Sequence, residues 1–204
     1  LRYRCRSDNP FGERIVETMN LKQKKRINVL HVPVDILKTE DIESIIQEML
    51  SMETVHQIVL IGLSDLMKAR RNKEFLSCLS TASLVLPISS SILKGAGFLK
   101  KEIPNRYMPF EFSIRLLGVL EKMGKTLYLY GQQPNDLQRI ENNLRSSFPG
   151  LRIVGRFPGY TPKERQDDII TAIKKAAPTL LMAGRGVTED NMWIFNNKNN
   201  FSPG

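Results

Sequence analysis

From Ile27 onward, short runs of β-branched and large apolar residues alternate with stretches whose apolar residues recur at helical spacing. This switching between a period of two and one of 3.6 is the pattern of βα units, and it restricts the chain to an α/β fold on a mostly parallel sheet with helices on both faces. Ile27 to Val34 reads as the first strand, followed by Gln57 to Ile61, Ser83 to Leu86, Thr126 to Tyr130, Leu151 to Phe157 and Thr179 to Ala183. Behind Thr39 as an N-cap, Ile42, Ile45, Ile46, Met49 and Leu50 form one apolar stripe. Ser64 to Leu79 reads as a single helix. Pro109 opens another that Gly124 closes, and a third carries Leu137, Ile140 and Leu144 up to Pro149-Gly150. Thr161-Pro162-Lys163-Glu164 combines a capping box with proline at the first helical position, which predicts a helix running to Ala177. A short helix with Trp193 and Phe195 comes last. Pro87 to Met108, with its serines, glycines and Pro104, reads as mixed loop and helix.

A length of 204 residues suits one domain with a sizeable core. No apolar run reaches the roughly 18 to 20 residues that cross a bilayer, and the first thirty residues lack the apolar stretch of a signal peptide, so a cytoplasmic location is expected. Cys5 and Cys78 have neither metal nor redox spacing and fit a reduced compartment. The formal charge is +9, and residues 1 to 26 carry eight Lys and Arg against three Asp and Glu. More than half of the excess is therefore a basic N-terminal arm, separate from a domain over residues 27 to 204. The remainder is spread over helical faces, which does not indicate a nucleic-acid groove.

In an open α/β sheet, ligands bind beyond the carboxyl ends of the strands, where loops and helix N-termini supply amide donors. The loops to consider are Gly62 to Asp65, Pro87 to Ser91, Gly131 to Pro134, Pro158 to Thr161 and Gly184 to Asp190. None is a P-loop or a dinucleotide fingerprint, and Gly95-Ala96-Gly97 does not directly follow a strand. His31, within a predicted strand, and His56, just before one, have no second histidine at ligand spacing. There is no GxSxG elbow. Trp193 reads as core packing.

Three blocks in order are more specific than any single glycine. They are Gly124-Lys-Thr-Leu-Tyr-Leu-Tyr-Gly131-Gln-Gln-Pro134, Asn143-Leu144 through Phe148-Pro149-Gly150-Leu151-Arg-Ile-Val-Gly155, and Ala177-Pro178 through Gly184-Arg-Gly186 to Trp193-Ile194. On these the sequence resembles the WecG/TagA/CpsF family of bacterial glycosyltransferases over about residues 27 to 195. The resemblance implies a Rossmann-like core and transfer of a hexose or N-acetylhexosamine-type sugar from a UDP donor to a polyprenyl-diphosphate-linked sugar in cell-envelope polysaccharide synthesis. It also implies no essential metal or other cofactor, peripheral contact with the inner membrane face and self-association.

The implied reaction is an inverting displacement in which an aspartate takes the proton of the acceptor hydroxyl. This sequence has Pro87-Ile88-Ser89 where the family has a pattern close to Ala-Asp-Gly, and Leu60-Ile61-Gly62 where it has Thr-Pro-Asn. Ile88 cannot act as a base, which leaves Glu111 and Asp65 as the candidate catalytic carboxylates. Arg106, Gly131, Gln132, Pro134, Gly184, Gly186 and Asp190 are the expected substrate-binding residues. A non-catalytic relative that binds a nucleotide sugar or serves as an assembly partner is the alternative.

Overall fold

A computed structural model describes residues 24–187 and 190–201, the side chain of Lys163 excepted. Residues 1–23 of the basic arm, including Cys5, lie outside them. Strands β1 (Lys25–Val29) and β2 (Val32–Ile36) form an antiparallel hairpin, so Lys25 and Arg26 belong to the folded domain. Then come α1 (Ile42–Ser51), β3 (Ile58–Ile61), α2 (Leu63–Arg71), α3 (Lys73–Thr81), β4 (Leu84–Pro87) and α4 (Ser90–Phe98). The second half holds α5 (Pro109–Lys122), β5 (Thr126–Tyr130), α6 (Pro134–Ser147), β6 (Arg152–Phe157), α7 (Gln166–Ala176), β7 (Leu180–Ala183) and α8 (Asp190–Asn197). Short 3₁₀ turns precede α7 and follow α8. Among the described residues no helix is long and apolar enough to cross a membrane.

The parallel strands form two groups, β3 with β4 and β5 between β6 and β7. Period-two alternation sends each strand's side chains to opposite layers. Val59, Ile61 and Val85 pack with Leu66, Phe75 and Ile92 of α2, α3 and α4. Leu84 and Leu86 pack with Ile45 of α1 and Phe112 of α5. In β5, Leu127 and Leu129 meet Leu120 of α5 and Leu137 of α6, while Tyr128 and Tyr130 meet Ile169 and Ile173 of α7. Helices thus cover both faces, as the alternation in the sequence requires. β3 and β7 are not hydrogen-bonded to each other. A largely apolar cleft of about 680 Å³ is lined by both strands.

Four expectations from sequence need correction, the first being the cap of α1, which is Asp41 with no side-chain capping bond, so Thr39 is not its N-cap. Ile27 to Val34 is not one strand: the chain reverses at Leu30 (φ 51°) and His31 (φ 70°), which pairs Val29 with Val32. Two left-handed residues make the tight turn whose twist suits a hairpin, and no glycine marks it. His31 is therefore a turn residue. Ser64 to Leu79 is two helices, because Asn72 is extended (φ −123°, ψ 108°) and its side chain accepts from the Phe75 amide at 2.9 Å. Finally, α7 begins at Gln166, and the Thr161 hydroxyl donates to the Pro158 carbonyl at 2.9 Å instead of capping the helix.

One buried carboxylate joins the hairpin to the sheet. Asp35 of β2 is 0% exposed. Its Oδ1 accepts from Arg26 Nε at 2.6 Å, and its Oδ2 accepts from Arg26 Nη2 at 2.8 Å and from the Val85 amide at 2.7 Å. Arg26 Nη2 also donates to the Ala82 carbonyl at 3.0 Å. Lys24 Nζ lies 3.7 Å from Asp35 Oδ2 and partly compensates the charge once Arg26 is lost, so Arg26→Met should cost at most about 3–5 kcal/mol. Urea denaturation would read this, and the double variant Arg26→Met/Asp35→Asn should lose less than the sum of the single losses.

Candidate functional site at the strand ends

The loops after β5, β6 and β7 are tied together by their own backbones. The Gly131 amide donates to the Phe157 carbonyl at 3.0 Å, that of Gly184 to Tyr130 at 2.8 Å, and that of Gly159 to Gln132 at 2.8 Å. Tyr160 donates to Gly186 at 2.7 Å, and Gln132 donates to Arg185. Gly131 has φ +125°, and a Cβ there would lie 2.9 Å from the Gly184 backbone; one on Gly159 would lie 2.9 Å from Gly186. The backbone these glycines admit is that of the neighbouring loop. Two non-glycine residues, Gln132 (φ 62°) and Tyr160 (φ 56°), are also left-handed. Such conformations cost on the order of 1–3 kcal/mol and persist where surrounding structure over-determines them.

Gln132, Gly184 and Asp190 are among the residues that line the cleft between β3 and β7. Asp190 and Asn191 also line a small recess together with Asp65, Lys68 and Phe75. Two candidate acids from distant parts of the sequence, Asp65 and Asp190, thus share one recess. Asp65 Oδ2 accepts from the Gly62 amide at 2.8 Å, which fixes it over the first turn of α2. Asp190 Oδ1 accepts from the Asn191 amide at 2.8 Å. Each carboxylate keeps lone pairs beyond that single bond, the capacity a proton acceptor requires.

The remaining candidates lie apart from this group. Glu111 is exposed in the first turn of α5 and does not line the cleft, although Pro109, Phe112 and Ser113 do. Pro134 is exposed at the start of α6. Arg106 is exposed, and its Nε donates to the Ile88 carbonyl at 2.8 Å. The Ile88 amide donates to Ile61 at 2.9 Å and extends the β3–β4 pairing beyond Pro87. Leu60 contributes an apolar side chain to the cleft. Gly186 (φ +94°) lies under the Tyr160 ring, which a Cβ would meet at 2.5 Å.

Some residues around these loops were not foreseen from sequence. Tyr160 is 59% exposed and presents an aromatic face beside the glycine loops. It lay within a loop singled out above, yet only its left-handed backbone distinguishes it. Buried Gln57 donates to the Asn191 carbonyl at 2.9 Å and holds the start of α8 against β3. No local spacing reports a contact between residues so far apart. Trp193 does pack as expected, 4.9 Å from Tyr130 between ring centroids, with Nε1 donating to Gln166 at 2.6 Å.

Gly131→Ala should destabilise the fold by about 1–3 kcal/mol through the left-handed backbone and the clash with Gly184. Gly118→Ala, in mid-helix with nothing within 4 Å, should be neutral or stabilising in the same thermal melt. His56, which lines the cleft, bridges the hydroxyls of Thr54 and Ser83 at 2.9 Å each, and burial lowers its pKa below 6.5. The folded state therefore favours the neutral ring, and below pH 6.5 the unfolded chain takes up the proton first. Stability should fall as the pH drops through that region, and His56→Gln should flatten this dependence in urea titrations.

Comparison with known proteins gives this arrangement a context. The sequence matches the family described as glycosyl transferase WecG/TagA/CpsF over residues 27–204. It is similar to the N-acetylglucosaminyldiphosphoundecaprenol N-acetyl-beta-D-mannosaminyltransferase of Bacillus subtilis (strain 168), with 23% identity over 135 residues, 65% of this chain and 51% of that protein. It is likewise similar to the protein of the same name from Bacillus spizizenii (strain ATCC 23059 / NRRL B-14472 / W23), with 20% identity over 127 residues, 62% of this chain and 49% of that protein. The chain spans about half the length of these curated relatives. The family match runs from β1 through α8 and takes in every strand-end loop described above, and the chain belongs to the WecG/TagA/CpsF family of glycosyl transferases.

Proposed function

We propose that this chain carries the transfer core of an enzyme that moves an N-acetylhexosamine-type sugar from a UDP donor to a polyprenyl-diphosphate-linked sugar at the inner membrane face. The observation that carries the reading is the family match across the whole described domain. The names of the two Bacillus relatives, which specify a diphosphoundecaprenol-linked acceptor, favour this class of acceptor. The donor lies in the cleft beside Gln132, Gly184 and Asp190, and the exposed face of Tyr160 offers a stacking surface for the uracil ring.

In the displacement, the acceptor hydroxyl oxygen attacks C1 of the sugar while the C1–O bond to the diphosphate breaks and UDP leaves with the bonding pair. The hydroxyl proton passes to a carboxylate. Asp65 is the group favoured for this, because it is fixed by the Gly62 amide and shares a recess with Asp190. No resident metal is assigned a step, and EDTA should leave the rate unchanged. Ile88, at the position of the family's aspartate, favours a second reading in which the nucleotide sugar binds and no transfer follows.

Titration calorimetry with UDP and UDP-N-acetylhexosamines tests binding, and labelled-sugar transfer to a polyprenyl-diphosphate-linked N-acetylglucosamine tests turnover. Tyr160→Ala should weaken UDP binding by about tenfold or more. Asp65→Asn should lower kcat by roughly 10²- to 10⁴-fold with UDP affinity retained, and Glu111→Gln should leave both unchanged. Absence of UDP binding at millimolar ligand would refute the reading. Binding without turnover in the unaltered protein would establish the second one.

A further inference from the structure

Eleven large hydrophobic side chains are exposed among the described residues, and six of them fall between residues 98 and 114. They are Phe98 (87% exposed), Leu99, Ile103, Met108, Phe110 (77%) and Ile114. Scattered single apolar residues are normal on a surface, but such a concentration marks an interaction site. The same stretch carries exposed Lys100, Lys101 and Arg106, with Lys94 and Arg115 just outside it, against the acids Glu102 and Glu111. Glu102 is paired with Lys25. Lys94, Lys100 and Lys101 have no carboxylate partner among the described residues.

The segment is held from beneath. Asn105 Nδ2 and the Tyr107 hydroxyl both donate to the Leu37 carbonyl at 2.7 Å, and the Tyr107 amide donates to Pro87 at 2.9 Å. Ile103 packs over Gly97. Polar and buried groups thus anchor the backbone, while large apolar side chains and cations are left facing outward. Tyr107 and Arg106 bond to Pro87 and Ile88, which fixes the patch beside the carboxyl end of β4, next to the strand-end loops.

We propose that residues 98 to 114 form the surface on which this protein sits on an anionic lipid bilayer. The apolar side chains enter the headgroup boundary and the lysines meet lipid phosphates, the combination that binds interfacial segments to membranes. A second copy of the chain fits less well. A two-fold contact would set the same unpaired lysines against each other, and lysine is depleted at protein interfaces. The surface extends the reading of a lipid-linked acceptor by turning the strand ends towards the bilayer. It is measured without nucleotide or sugar transfer, so either idea can fail alone.

Co-sedimentation of the full chain with vesicles of phosphatidylcholine, alone or mixed with phosphatidylglycerol, tests the proposal. Binding should require the anionic lipid and weaken as salt is added. Phe98→Asp/Ile103→Asp and Lys100→Glu/Lys101→Glu should each reduce it about tenfold or more, with urea midpoints unchanged. No binding by the unaltered chain would overturn the proposal. So would binding that both double variants retain, which would place the contact elsewhere, for instance in the basic segment before residue 24. Loss of self-association in the Phe98→Asp/Ile103→Asp variant with vesicle binding unaltered would assign the surface to a second copy.

Discussion

The Asp35 carboxylate is the constraint on which the N-terminal half depends. β1 and β2 pair only with each other, so the hairpin needs an attachment to the parallel strands that is not a continued ladder. Asp35 supplies it by accepting from the Val85 amide while its charge is balanced by Arg26, which in turn reaches the Ala82 carbonyl at the entrance to β4. A buried carboxylate is tolerated only with this degree of pairing. It fixes where β4 lies, and hence where Pro87 and Ile88 deliver the chain to the strand-end site.

At the strand ends the backbone is more constrained than the side chains around it. Gly131, Gly159 and Gly186 occupy positions where a Cβ would strike a neighbouring loop, so the framework there depends on glycine. Ile88, Leu60 and Gly62 make no comparable steric demand on the loops. Such positions can change while the fold persists, because catalytic groups act on substrate and are not needed to hold the scaffold. Asp65 and Asp190 have local roles in their own helix turns and also share a recess.

Strands flanked by regular apolar spacing were legible in the sequence. Thr126–Tyr130 and the stripe of α1 appear as expected, since burial of a regular face is what periodicity records. The turn at Leu30-His31 was not legible, because β-branched residues continue on both sides and no glycine or asparagine marks it. The break at Asn72 had a faint trace, an asparagine in the polar gap between Met67 and Phe75. For the strand-end loops, sequence reasoning singled them out and underestimated their mutual contact. The meeting of Asp65 with Asp190, and of Gln57 with Asn191, depends on three-dimensional packing that one-dimensional spacing does not encode.

Helix α5 has one consequence for how the two strand groups relate. Phe112, Leu116 and Val119 fill the layer over β3 and β4, and Leu117 and Leu120 fill the layer over β5. Where backbone pairing is missing between β3 and β7, this helix acts as a spindle running through both halves. Apolar contacts are non-directional, so small sliding adjustments around it are resisted chiefly by the bond from Gln57 to the Asn191 carbonyl. Because its first turn carries the exposed Phe110, the spindle's free end is a handle at the protein surface, where an outside force would be felt by both halves at once.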